Sequence, residues 1–332
     1  MSRISMGLTL AALIVFASLG ERTTAVQAPP LDRHELPAEV TFPEGIAHDP
    51  ARGAIYTASA LNGAVARVDL KTRRSEIVTP SGVLVPAGST TFPGPLGMKL
   101  DSANRLWVAG GRTGRMFLVD VNTGKVLKQL EVPTPAGSLV NDVALIGTTG
   151  YFTDTRTPTL WRVEARGDQI GDLEPWLRFD GTVLQYDSSA NLNGIAAMPD
   201  GRSLLVVQMG KGLLFRIDVA TKAVSAIDTA GADLTGADGL VLDGRTLYVV
   251  RQPAAEIVTV ALSDDFAKGT VVSRFKDPQL AWPATAVKVD DRLLVVNTQF
   301  NARTKNTQTL PFTILSVPLS RLAAPNEGNR PR

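Results

Sequence analysis

The chain has 332 residues, of which 44% are hydrophobic and 20% are charged, and its formal net charge is only +2. No basic run is interleaved with aromatic residues, so the charge distribution gives no support to nucleic-acid binding. The absence of cysteine excludes disulfides, thiolate nucleophiles and cysteine metal sites. The 29 glycines and 21 prolines, many of them between short apolar segments, favour many short strands over long helices.

The N-terminal segment has the features of a secretory signal. Arg3 is followed by an apolar stretch from Met6 to Leu19, which is short for a membrane span of ~20 residues. We assign residues 1–28 to a signal peptide, with the cleavage site open between the region of Gly20 and that of Ala28. A buried N-terminal helix and an uncleaved anchor are the alternatives. The segment therefore predicts a secreted or periplasmic protein.

A repeated pattern dominates the rest of the chain. Each unit has a small or polar start, a short alternating strand, a turn rich in Asp, Gly or Asn, and a second apolar strand; most units continue into a third and a fourth strand. Aligned residues of the six units are Gly45, Gly97, Asp142, Gly194, Gly239 and Thr285, with steps of 45 to 52 residues. Four-stranded units at this spacing predict an all-β, six-bladed β-propeller. A β-sandwich would show turn signals without this period.

The ends of the repeat predict how the ring closes. The sixth unit lacks a fourth strand, and residues 323–332 are typical of a flexible tail. The segment 36–42, "LPAEVTF", precedes the first blade and is typical of an extended strand. We expect it to complete the last blade and cover an exposed sheet edge. Residues 29–322 then form one propeller domain.

One polar column distinguishes the repeats. We call the residues that directly precede the aligned positions the axial column; they are Glu44, Leu96, Asn141, Asn193, Asp238 and Ala284. Each begins the innermost strand of its blade, so the propeller would bring all of them to one end of the central channel. Two carboxylates and two amides there offer oxygen ligands that suit Ca²⁺, with Mg²⁺, Mn²⁺ or Zn²⁺ as alternatives. Each residue taken singly also fits an ordinary turn.

The motifs in this column carry a family resemblance. The order "PEGI", "VNDV", "LNGI" and "ADGL", together with "GYFTDT", resembles the senescence marker protein/gluconolactonase family over roughly residues 40–320. More distantly it is similar to the paraoxonases and strictosidine synthase-like proteins. The resemblance implies a six-bladed propeller with an axial divalent metal, held by Glu44, Asn141, Asn193 and Asp238, with Asp238 also the general base. A paraoxonase-like histidine pair is not expected, because the only histidines are His34 and His48.

Further candidates lie where second strands return to the same mouth. We predict that Arg251 acts as a catalytic residue that steadies developing negative charge, and that Gln208 and Asn297 contact substrate hydroxyls. Trp282 precedes a strand start and is predicted to line the substrate pocket. The alternative for each polar residue is a solvated loop edge, and for Trp282 it is packing between blades.

These features together predict an exported, calcium-dependent hydrolase of lactones or related esters. A metal-stabilised binding scaffold without catalysis, or a strictosidine synthase-like condensing enzyme, are the alternatives, because the fold alone does not decide the chemistry. The expected partner is a small-molecule lactone or ester. We expect neither nucleic acid nor a stable membrane span after signal cleavage, and we expect a monomer.

Overall fold

The computed structural model describes residues 29–89 and 91–323 and confirms the predicted six-bladed propeller. These residues form six antiparallel sheets, each with at least four strands. The predicted signal peptide, residues 1–28, lies outside the described residues, as does all of the predicted tail except Ala323.

The strands follow the predicted repeat. The first strand in the chain, β1 (Asp32–Glu35), belongs to the last blade. Blade one contains β2 (Pro43–Asp49), β3 (Ala54–Ser59), β4 (Val65–Asp69) and β5 (Ser75–Thr79). Blade two contains β6 (Met98–Leu100), β7 (Arg105–Ala109), β8 (Arg115–Asp120) and β9 (Val126–Glu131). Blade three contains β10 (Val140–Ile146), β11 (Thr149–Asp154), β12 (Thr159–Arg166), β13 (Gln169–Ile170) and β14 (Glu174–Arg178).

The other three blades repeat the same order. Blade four contains β15 (Leu192–Ala197), β16 (Ser203–Gln208), β17 (Leu213–Asp218) and β18 (Val224–Ile227). Blade five contains β19 (Ala237–Asp243), β20 (Thr246–Arg251), β21 (Glu256–Leu262) and β22 (Gly269–Lys276). Blade six contains β23 (Pro283–Val289), β24 (Arg292–Asn297) and β25 (Thr313–Pro318), with β1 as its outermost strand.

The core lies in the seams between blades. Six apolar clusters each combine residues of two neighbouring blades, including the seam between blades six and one. Second strands are therefore covered on both faces, and every residue of β3 and β16 is buried. Outer strands such as β9 alternate between covered and exposed side chains, as expected for one solvated face.

The ring closes with a different segment from the one predicted. β1, residues Asp32–Glu35, pairs antiparallel with β25, whereas residues 36–42 form no strand. Val40 N donates to the carbonyl oxygen of Pro37, which makes a turn, and Phe42 has a left-handed φ of 52°. Leu36, Val40 and Phe42 are buried in the seam between blades six and one. The apolar residues that suggested a strand thus pack in the core rather than pair at an edge.

The innermost strands surround the channel and share one irregularity. Each of the six contacts the innermost strand of both neighbouring blades. In five of them the pairing with the second strand is interrupted for two residues near the start, after Pro43, Val140, Leu192, Ala237 and Pro283. The two skipped residues are in every case the axial-column residue and the one that follows it. A bulge of this kind re-aims a side chain locally.

Glycine is required after two column residues because the blades approach closely there. A Cβ on Gly194 would lie 2.2 Å from the carbonyl oxygen of Asp238, and one on Gly239 would lie 2.1 Å from Oγ1 of Thr285. The residue after the column therefore faces the next blade at near-contact distance, which fixes the position of the column itself.

Candidate metal centre

The axial column is buried at one end of the channel, which we call the mouth. Its six members are between 0% and 5% exposed. Leu96 and Ala284 are apolar, so four members carry polar groups. Second strands end at the mouth and innermost strands begin there, as the pairing of Val140 with Asp154 and of Ala237 with Arg251 shows.

The two carboxylates of the column lie close to each other and away from water. Burial raises the pKa of Glu44 well above its ordinary value, and the charges of Asp238 and Asp142 raise it further. Burial likewise raises the pKa of Asp238 well above its ordinary value, Asp142 adds to this, and the neighbouring amide of Asn193 opposes it. Two such groups cannot both ionise without a compensating positive charge.

The column also leaves buried oxygens without donors. Among the described residues, neither Oε2 of Glu44 nor Oδ1 of Asn141 has a hydrogen-bond partner. Nδ2 of Asn141 donates to Oγ1 of Thr155 at 2.8 Å, and this contact orients the amide. Nδ2 of Asn193 donates to the sulfur of Met209 at 3.3 Å, and this contact does not involve the amide oxygen of Asn193. Buried acceptors without partners are costly and uncommon in native proteins.

These residues fit a hard divalent cation. The donor set consists of carboxylate and amide oxygens, which Ca²⁺ prefers, and a double positive charge would offset both carboxylates. Among the described residues no group of three or more His, Cys, Asp or Glu side chains is placed to hold a metal. A cation would therefore depend on Asn141 and Asn193 as well as on Glu44 and Asp238.

Two charged residues near this site were missed in the sequence. Asp142 accepts hydrogen bonds from the amides of Val143 at 2.8 Å and Ile195 at 3.2 Å, and so ties blade three to blade four. Nζ of Lys99 lies 4.0 Å from Oδ1 of Asp142, and its charge lowers the pKa of Glu44. The signal was present for both residues, because the position of Lys99 holds alanine or valine in the other five blades and the position of Asp142 holds glycine or threonine.

Arg251 has a different set of partners from the one predicted. Its side chain is buried, with ion pairs to Glu256 and, at 2.8 Å, to Asp233. Its Nε donates to the carbonyl oxygen of Thr235 at 2.9 Å. The catalytic role of Arg251 stays a prediction, and it would require the guanidinium to leave these contacts.

Gln208 and Asn297 also support nearby backbone. Nε2 of Gln208 donates to the carbonyl oxygen of Gln185 and to Oδ1 of Asn191, at 2.8 and 2.9 Å. Asn297 accepts from the amide of Ala281 at 2.9 Å and donates to the carbonyl oxygen of Gln279 at 2.8 Å. Both side chains are at least 96% buried. Substrate contact by either residue stays a prediction, since these bonds use their polar atoms.

Aromatic residues precede the axial column in blades one and six. Trp282 is half-buried and has a left-handed φ of 53°, matching Phe42 at the equivalent position of blade one. Phe42 packs edge-on against Phe92, with ring centroids 6.1 Å apart, and Phe92 packs similarly against Phe300 at 5.1 Å. The role of Trp282 in substrate binding stays a prediction.

Comparison with known proteins supports the resemblance found in the sequence. The family described as "SMP-30/Gluconolactonase/LRE-like region" matches residues 24–141, a segment that contains Glu44 and Asn141. The predicted resemblance to this family is confirmed. Asn193 and Asp238 lie beyond the matched segment. No curated protein matches the chain significantly in sequence.

Solved structures show the same fold at low sequence identity. The allergen Mala s 1 of Malassezia sympodialis is 16% identical, with a TM-score of 0.66 over 89% of this chain and 98% of its own. The calcium-binding protein regucalcin of Agrobacterium tumefaciens is 18% identical, with a TM-score of 0.61 over 87% and 95%. Virginiamycin B lyase of Staphylococcus aureus is 12% identical, with a TM-score of 0.55 over 87% and 99%. At such identities the likeness concerns the fold alone.

A search of the described residues for membrane-crossing helices found none of sufficient length and apolarity.

Proposed function

We propose that the protein is a calcium-dependent hydrolase of lactones or related esters. The observation that carries the proposal is the pair of buried carboxylates, Glu44 and Asp238, beside a buried amide oxygen of Asn141 that has no donor among the described residues. The resemblance to gluconolactonase-like proteins supports the reaction class, and the calcium-binding regucalcin shares the fold.

The chemistry requires a cation and a base at the same mouth. A divalent cation held by Glu44, Asn141, Asn193 and Asp238 would supply a Lewis acid for the carbonyl of an ester. Asp238 is proposed to accept the proton of the attacking water. The water oxygen bonds to the carbonyl carbon, the carbon–oxygen bond of the ester breaks, and the leaving oxygen takes up a proton. Asn193 holds Asp238 in place.

The first test is calorimetric titration of the EDTA-treated protein with Ca²⁺. We expect one ion to bind per chain and binding to weaken in Asp238→Asn and Asn193→Ala. Asp200→Asn is the control, because this carboxylate is exposed in the turn between β15 and β16, at the opposite end of the blade. No binding by the folded wild-type chain would contradict the metal site.

The second test is hydrolysis of glucono-δ-lactone and simple aryl esters by the calcium-loaded protein. We expect turnover that EDTA abolishes and added Ca²⁺ restores, and that Asp238→Asn removes. Calcium binding without turnover across lactones and esters would contradict the hydrolase and favour a metal-stabilised binding scaffold.

We also propose that the protein is exported and acts as a monomer on a small molecule. The basic and apolar N-terminal pattern supports export, and a compact ring whose edges are closed within one chain supports the monomer. N-terminal sequencing of protein from the cell exterior tests the first statement, and light scattering tests the second. A mature chain that still begins at Met1, or a stable dimer, would contradict them.

A further inference from the structure

Most arginines among the described residues are paired, and three of the five exceptions lie at the mouth. Among the described residues, five arginines have neither an ion pair nor a side-chain hydrogen bond: Arg74, Arg112, Arg156, Arg202 and Arg303. Arg74 and Arg202 are exposed in turns at the end of the blades opposite the mouth. The other three lie on loops at the mouth, and two of them, Arg112 and Arg303, are partly buried. We call these three the arginine arc.

Two members of the arc flank a predicted metal ligand. Arg112 follows Gly111, which exchanges backbone hydrogen bonds of 2.9 and 3.1 Å with Val140, the residue before Asn141. Arg156 follows Thr155, whose hydroxyl accepts the hydrogen bond from the amide of Asn141. The loops that carry the two arginines thus adjoin the same column residue, one from blade two and one from blade three.

The third member is connected to the first through an aromatic ring. The guanidinium carbon of Arg303 lies 3.9 Å from the centroid of the Phe92 ring, a cation–π contact. Phe92 precedes Pro93, whose carbonyl oxygen accepts from the amide of Arg112 at 2.9 Å. The three arginines therefore lie on connected segments, which are the 3₁₀ helix Phe300–Lys305 of blade six, the segment before blade two that carries Phe92, and the mouth loops of blades two and three.

Arg112 and Arg156 lie near each other, and neither forms an ion pair among the described residues. Burial lowers the pKa of Arg112, and the charge of Arg156 lowers it further. Guanidinium groups in this situation bind oxyanions strongly, because they offer planar arrays of donors and are weakly hydrated. An anion between Arg112 and Arg156 would relieve their repulsion.

We propose that Arg112 and Arg156, extended by Arg303, bind an oxyanionic group of the substrate. Resting on the proposed function, this identifies the substrates as lactones or esters that also carry a carboxylate or phosphate. The anionic group is held beside Asn141, next to the site where the ester carbonyl is expected. Arg112 and Arg156 are specificity-determining residues in this proposal.

Ligand binding tests the proposal without relying on turnover. Calorimetry of the full-length calcium-loaded protein compares succinate and methyl phosphate with neutral succinamide. We expect both anions, or one of them, to bind at least tenfold more tightly than succinamide, and the tighter anion identifies the group. Arg112→Gln/Arg156→Gln should lose this preference, whereas Arg112→Lys/Arg156→Lys should keep part of it. Arg74→Gln/Arg202→Gln removes the same net charge from exposed positions and should keep the preference in full.

Equal binding of anions and succinamide by the wild-type protein would overturn the proposal, as would no binding of any of these probes. An anion preference that survives in the folded Arg112→Gln/Arg156→Gln variant, with a melting temperature near that of wild type, would also overturn it. Lactone hydrolysis without any anion preference would contradict the arc alone. An arginine-dependent anion preference in a protein that hydrolyses no ester would contradict the proposed function and leave the arc standing.

Discussion

Two buried acidic sites of this propeller differ in how their charge is balanced. In blade five, Glu256 is 3% exposed and is surrounded by Arg251, by Arg274 at 2.7 Å and by Lys276 at 3.7 Å. At the axis, Glu44 is 5% exposed and has one oxygen without any partner among the described residues. The first site supplies its own counter-charges in direct contact, whereas at the axis Lys99 lies 4.0 Å from Asp142 and Glu44 has no ion pair among the described residues.

This difference distinguishes a structural cluster that is neutralised by protein side chains from the site that we propose holds a cation. Asp154 supports the same distinction, because it accepts from the hydroxyl of Ser138 and from the amides of Leu139 and Thr157 at 3.0 Å. These hydrogen bonds hold the loops around Asp154 in place and leave its carboxylate with protein partners. Burial by itself therefore does not mark a functional carboxylate, whereas burial without a protein partner does.

The largest effect on stability is expected at Glu256, whose charge is balanced by side chains of the protein itself. Glu256→Ala leaves the charge of Arg251 buried without its main partner and should lower the free energy of unfolding by about 3–5 kcal/mol. Glu76→Ala is the control, because Glu76 pairs with Arg67 at the surface and should cost less than ~1 kcal/mol. Urea denaturation measures both. Equal losses of stability in Glu256→Ala and Glu76→Ala would show that the buried ion pairs of Glu256 contribute no more than a surface pair.

The axial carboxylate should respond in the opposite way. Glu44→Gln removes a carboxyl group whose ionised form is disfavoured by burial, so the metal-free variant should be at least as stable as wild type at pH 7.5. Its affinity for Ca²⁺ should fall by at least about a hundredfold, since even outer-shell changes cost ~10–100-fold in metal affinity. Calorimetry and urea denaturation provide the two values. Unchanged affinity would show that Glu44 is not a ligand.

The stability of the metal-free protein should depend on pH through the same pair. Because the pKa values of Glu44 and Asp238 are raised in the fold, the folded state binds more protons than the unfolded state above the ordinary carboxyl pKa of about 4. The free energy of unfolding therefore falls as pH rises from about 4 through the raised pKa values. The difference in the free energy of unfolding between wild type and Glu44→Gln/Asp238→Asn, measured across this pH range, isolates the contribution of the pair. A difference that is constant from pH 4.5 to 8 would contradict it.

The smallest effect is expected at Lys99. Its ammonium group lies near Asp142 and acts on Glu44, so it repels a cation at the axis. Lys99→Met should raise the affinity for Ca²⁺ by roughly fivefold at low salt, and by less at high salt, because the lysine is partly exposed and screened. Lys128→Met, at a surface pair with Asp172, should leave the affinity unchanged. A weaker affinity for Ca²⁺ in Lys99→Met would contradict the repulsive effect assigned to Lys99.

The sequence was sufficient for the fold because every blade repeats the same local pattern. The axial column could be found by aligning the repeats, since the bulge falls at the same place in the innermost strands. The closing strand was predicted a few residues too late, because Leu36, Val40 and Phe42 have the apolar character of a strand and nothing local distinguishes packing from pairing.

The partners of polar side chains were harder to predict. Arg251 and Glu256 stand directly opposite each other in the pairing of β20 with β21, so this ion pair was predictable from the hairpin register. The bonds of Gln208 and Asn297 to loop backbone were not, because they depend on the paths of residues 185–191 and 279–281. The sequence around a polar residue at a strand end does not distinguish a residue that contacts substrate from one that binds the backbone of its own loop.

The shared bulge also affects how this site can change by substitution. Because five of the six column residues occupy the same bulge, a new ligand at such a position would need no new loop. Leu96 and Ala284 already occupy the two positions that lack a polar group, so one replacement such as Ala284→Asp adds a carboxylate to the ring. In the proposed metal centre, single substitutions would therefore change the number of ligands while the scaffold around them remains the same.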